Sequence, residues 1–222
     1  MSQVSAASKV KPRFRGVSHQ WGCVVSLLVG LWLVLETTTD HTRTVSIIYV
    51  ASLVSLLGVS AIYHIVHWPP VKRQWMRRLD HTMIFVLIAG SYTPVCELVL
   101  EGDLAKYTLT TVWCGVIVGA AYNLIWVNAP KWIMSVLCMA VGWVAIVTLG
   151  ELYERLGAVF IVWLSLGGFF YTVGALVYAF RKPDPFPASF GYHEIFHALV
   201  LAAAGCHFIA FKVYIFDPLA QS

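Results

Sequence analysis

The chain has 222 residues, of which 59% are hydrophobic and only 12% charged, with a formal net charge of +4. A soluble domain carries about twice that share of charge, so water is not the solvent of this chain, and nucleic acid is not an expected partner. A crossing helix needs roughly 20 mostly apolar residues, and alternating strand patterns are absent, which excludes a β-barrel. The fold class is therefore all-α: a polytopic membrane protein with one membrane domain and short loops.

In chain order, residues 1–16 form a basic tail with Lys9, Lys11, Arg13 and Arg15. The apolar run behind it is too long for a signal peptide and lacks an A-x-A-like end, so it is the first span. Apolar runs fall at about 17–36, 45–66, 80–99, 107–127, 131–150, 157–180 and 192–215, and residues 217–222 are left as a short tail. Seven transmembrane helices are expected within a membrane domain of residues 17–216.

Lysine and arginine in the short loops set the orientation. The first tail, the 67–79 loop (Lys72, Arg73, Arg77, Arg78), Lys131, and Arg181 with Lys182 put eleven cations on one side. The opposite loops hold Arg43, Lys106 and Arg155 among Asp40, Glu101, Asp103, Glu151 and Glu154. The N-terminus is accordingly expected in the cytoplasm and the C-terminus outside. Trp68, Trp75 and Trp132 suit the interfacial belt. Membrane lipids are the expected partners; the basic second loop could also touch anionic lipid, although ordinary topology determinants account for it more readily than a dedicated headgroup site does. The five cysteines stand singly in apolar stretches and read as small core residues.

Ionisable groups at membrane depth are costly and ask for a partner or a function. His64 near the end of the second span, Asp80 at the opening of the third, and His193, Glu194 and His197 at the opening of the seventh are all expected at one level on the cytoplasmic side. Residues four apart share a helix face, so His193 and His197 point together, as do Ser60 and His64. Three imidazoles from two helices match a catalytic zinc site with an open fourth position. Asp80 is placed to take a proton there, or to cap its helix. His67, three residues beyond His64, is the nearest competitor. His19, His41, His81 and His207 read as core or interfacial residues. A rival reading uses the string His193-Glu194-Ile195-Phe196-His197, which fits H-E-x-x-H with Glu194 as general base and Asp80 as third ligand of an intramembrane metalloprotease.

Ser60-Ala-Ile-Tyr-His64, Leu79-Asp80-His81, Ala89-Gly90-Ser91-Tyr92-Thr93-Pro94 and His193-x-x-x-His197 stand in this order along the chain. Together they resemble the signature set of the hemolysin III family, relatives of the progestin and adipoQ receptors and, more distantly, of the alkaline ceramidases. The resemblance implies seven spans, an inside N-terminus and Zn2+ on His64, His193 and His197, with Asp80 and Ser60 beside the open position. It also implies hydrolysis of lipid amides such as ceramides as a candidate activity. A receptor or membrane-homeostasis protein with structural zinc, and a pore-forming cytolysin, are the alternatives. The compact tails and this branch of the family point to a bacterial plasma (inner) membrane.

Overall fold

A computed structural model describes residues 12–126 and 130–217. Most of the expected N-terminal tail, the last residues of the C-terminal tail, and positions 127–129 at the end of the fourth expected span lie outside the described residues. Among the described residues, seven α-helices follow one another: α1 Val17–Glu36, α2 Asp40–Ile65, α3 Pro70–Leu98, α4 Gly102–Ile125, α5 Lys131–Gly142, α6 Leu149–Phe180 and α7 Tyr192–Phe211. No strand occurs among the described residues, only an isolated bridge between Phe186 and Phe190. Six helical stretches among the described residues are long and apolar enough to cross a membrane, and the exposed faces carry Leu35, Ile117, Ile125 and Phe180 where acyl chains would lie.

α1, α5 and α7 begin where the apolar runs do, whereas α2, α3, α4 and α6 begin earlier, because capping rather than hydropathy sets a helix end. Thr39 caps α2: its hydroxyl accepts from the Thr42 amide at 3.1 Å, and the Thr42 hydroxyl accepts from the Thr39 amide at 3.3 Å. Pro70 starts α3 at the one position where a missing N–H costs nothing. The basic segment expected as the 67–79 loop is thus largely helical. Asp80 therefore sits ten residues inside α3 and caps nothing.

The fifth apolar stretch is 50 residues long, Lys131–Phe180, joined through the 3-10 turn Trp143–Thr148. Straight, it would reach about 75 Å, more than twice the hydrocarbon thickness. It does not run straight. Ser135 donates to the carbonyl of Ala175 at 3.1 Å, a pair that an unbroken helix would hold about 60 Å apart. The reversal falls at Gly157, whose φ of 80° and ψ of 176° are non-helical and favour a residue without a Cβ.

Neighbouring helices pack in sequence, and α1 lies on α7 to close the bundle. One buried cluster, including Tyr49, Phe160 and Phe211, fills the end away from His64. A second, with Leu57, Leu87 and Val200, sits between α2, α3 and α7, about one turn inward of Ser60 and His197. At the far end Arg155 pairs with Glu101 at 2.7 Å and with Glu151 at 2.9 Å, tying the α3–α4 connection to α6. Lys212, in a π-helical turn at the end of α7, is held there by Glu36, Asp217 and the Trp32 ring. These partners explain how a lysine is tolerated inside the seventh apolar run.

Candidate metal centre

α2 and α7 each deliver their histidines from a helix end. His64 is the penultimate residue of α2, and His193 and His197 occupy successive turns at the start of α7. The three rings offer donor nitrogens within 4.8 Å of one another, and His193 and His197 are buried. His64 Nε2 and His193 Nε2 stand 3.1 Å apart. Two nitrogens bound to one zinc at about 2.0–2.1 Å with tetrahedral angles stand about 3.3–3.4 Å apart. The spacing therefore fits a shared ion. The chemistry of the donor set fits as well, since neutral imidazoles suit zinc and other divalent ions. The Nδ1 atoms of His193 and His197, on the other side of each ring from Nε2, are buried without a hydrogen-bond partner among the described residues.

Asp80 is buried on α3 with one carboxylate oxygen 3.9 Å from His64 Nε2. It stands beside the three donors and is not among them. Ser60, one turn before His64 on α2 and also buried, directs its hydroxyl to the Asp80 carboxylate. Three helices thus bring five of the expected residues to one place.

Two expected neighbours have other employment. α2 ends at Ile65, the chain turns extended at Val66, and His67 lies exposed on the connection to α3. It is not brought to the cluster, because the shared face ends with the helix. Glu194 is buried, but one oxygen accepts from the Gly191 amide at 2.9 Å to cap α7 and the other is paired with Arg15. Both oxygens are taken by structural partners, so H-E-x-x-H lacks a free base here. Glu194→Gln should leave metal content unchanged while lowering stability by about 1–3 kcal/mol, the cost of loosening a buried hydrogen-bonded pair. Thermal unfolding and metal analysis on the same sample read both, and loss of metal would restore the glutamate as part of the centre.

One participant escaped the sequence reading. His19, taken as a core residue, is buried in the first turn of α1 and stacks on His197 with centroids 3.8 Å apart and planes within 10°. Neither of its ring nitrogens has a hydrogen-bond partner. Its place at the start of the first span, level with the other histidines, is the signal the sequence offers. Just before it, Gly16 has φ 86°, and a Cβ there would come within 2.8 Å of the His64 Cβ. Glycine lets the chain entering α1 press against the end of α2.

The model of the haemolysin-III related family matches residues 7–208. The chain is similar to "Hemolysin-3" of Bacillus cereus, 30% identical over 202 residues that cover 90% of this chain and 89% of the relative. It is 26% identical to "Hemolysin-3 homolog" of Bacillus subtilis, over 89% of this chain and 91% of that one. "Adiponectin receptor protein" of Drosophila melanogaster is 25% identical over 86% of this chain, which spans only 48% of that longer protein.

Proposed function

The chain belongs to the haemolysin-III related family, and on that premise we propose that it is a zinc-dependent hydrolase acting on an amide or ester bond of a membrane lipid. The observation that carries the reading is the convergence of three imidazoles with a buried carboxylate, Asp80, 3.9 Å from His64. His64, His193 and His197 would hold the ion. Zinc, when bound, supplies a Lewis acid that polarises a carbonyl and acidifies water. Asp80 accepts the proton released during attack and delivers it to the leaving group, while Ser60 keeps the carboxylate oriented. The buried walls of α2, α3 and α7 exclude bulk water, so that these few polar groups act at low dielectric.

Seven crossings and a cytoplasmic N-terminus belong to the same proposal. The fold-back at Gly157 supports the count, by dividing the 50-residue stretch into two antiparallel arms. The positive-inside bias supports the orientation, in which the histidines would lie near the cytoplasmic face, and the similarity to the two Bacillus proteins supports a bacterial plasma membrane. A second reading, structural zinc in a receptor or sensor, draws support from the stacking of His19 on His197, which encloses the centre. A pore draws none, since the bundle interior is filled by side chains such as Tyr49, Leu57 and Phe85.

The test is single-turnover hydrolysis by protein in lipid nanodiscs, against a panel of ceramides, other N-acyl lipids and ester phospholipids. Cleavage of one class, abolished by chelation and restored by zinc, is expected. No turnover of any lipid by protein with zinc bound would leave the structural reading in its place.

A further inference from the structure

Beside Tyr178, a small cleft opens between α3, α4, α5 and α6. We propose that this cleft binds the phosphate of an anionic ligand, with Arg77, Arg78 and Lys131 supplying the charge and Tyr122 and Asn123 the neutral donors. The site is distinct from the three histidines and does not depend on hydrolysis taking place there.

Charge is the first argument. Among the described residues, three cations line the cleft and no carboxylate does. Among the described residues, none of the three is within ion-pair distance of an acid. The Arg78 guanidinium lies over the Trp75 ring, 4.4 Å from its centroid. Lys131 donates to the Tyr192 hydroxyl at 2.8 Å and sits 4.3 Å from the Tyr178 centroid. Those partners are neutral. Arg77 lies in the field of Asp80, but that carboxylate is turned toward His64 and Ser60 in the metal centre. Three cations gathered where lipid meets water, without compensating acids, favour an anion from outside the chain.

Unused hydrogen-bonding capacity is the second argument. Arg78 Nε and the Tyr122 hydroxyl are buried and have no hydrogen-bond partner. Asn123 is buried, and its amide reaches only Thr82 Oγ1, at 3.5 Å. Buried polar groups are rarely left so. Guanidinium forks, an ammonium, a phenol and an amide form a donor set suited to the several acceptor oxygens of one phosphate.

Position is the third. Trp75 and Trp126, both exposed at this end of the bundle, have the amphipathic rings favoured at headgroup level. The Tyr178 ring lies 5.9 Å from the His193 ring, and its hydroxyl is 3.4 Å from His81 Nε2. A phosphate held here stands one aromatic ring away from the histidines, which suits the headgroup of a lipid whose remainder lies along the bundle.

Detergent-solubilised protein titrated with short-chain phosphatidylglycerol, short-chain phosphatidylcholine and inorganic phosphate tests this, with native mass spectra and thermal midpoint as readouts. One phosphatidylglycerol adduct per chain and a rise in midpoint are expected, at least about tenfold weaker for Arg78→Gln and for Lys131→Gln. Tyr122→Phe removes only a hydroxyl and should weaken the adduct without disturbing the fold. Phosphatidylglycerol binding without inorganic phosphate binding assigns a lipid headgroup, and inorganic phosphate binding as tightly assigns a soluble phosphate. No adduct with any probe, or adducts unchanged in all three variants, overturns the proposal. Neither readout requires turnover, so loss of the hydrolase reading would leave this result standing.

Discussion

Purified wild-type protein should carry about one zinc per chain, and His197→Ala should bind it at least about tenfold more weakly and unfold at a distinctly lower temperature. The two losses share one cause. His64 lies in the last turn of α2, while His193 and His197 lie in the first two turns of α7, so an ion held by all three cross-braces two helices that are far apart in sequence. Removing His197 takes away one of three donors, leaves His193 Nδ1 without a partner as before, and strips the stacking surface from His19. His19→Phe preserves the stack and removes both of its ring nitrogens. It should keep its zinc, because His19 is outside the donor group. His67→Ala, on the exposed connection, should match wild type in both measurements. Metal analysis after extensive dialysis, paired with thermal unfolding, decides the matter. Full zinc occupancy in His197→Ala would remove that residue from the centre, and loss of zinc from His19→Phe would add a fourth ligand.

The polar cluster was legible in the sequence because its elements obey local rules. The i, i+4 spacing of His193 and His197 holds within one helix, as does that of Ser60 and His64. Topology then placed the ends of α2 and α7 at one level. What local rules could not supply was the contact between elements. His19 lies near the start of α1, at the level of the other histidines, but no spacing rule ties it to them until the α1–α7 packing closes the bundle and sets it on His197. His67 failed for the complementary reason: its spacing from His64 has meaning only if the helix continues, and α2 stops at Ile65. Hydropathy located apolar stretches well but misplaced the start of α3, because amphipathic and basic turns remain helical beyond the apolar zone when Pro70 opens the helix. The same limit hid the anion cleft, where residues 77 and 78 meet 122, 123 and 131 only through packing.

Asp80→Asn should lower the single-turnover rate by about 10²–10⁴-fold, the usual range for removal of a positioned proton-transfer group, while zinc content stays at the wild-type level. Asparagine keeps the size of the side chain and an acceptor for the Ser60 hydroxyl, so the packing of α3 against α2 is preserved and the loss falls on proton transfer. Ser60→Ala should cost less, about tenfold, since it frees the carboxylate to turn without removing it. Asp80 is outside the donor group, so its effect separates chemistry from metal retention, which the histidine variants cannot do. A wild-type rate in Asp80→Asn would mean that protons move by another route. A loss of zinc equal to that of His197→Ala would instead make Asp80 a ligand or a support for His64, from which it stands 3.9 Å away. A slow enzyme with its zinc intact is the outcome that assigns the carboxylate to the reaction, because a purely structural zinc site would have no rate to lose.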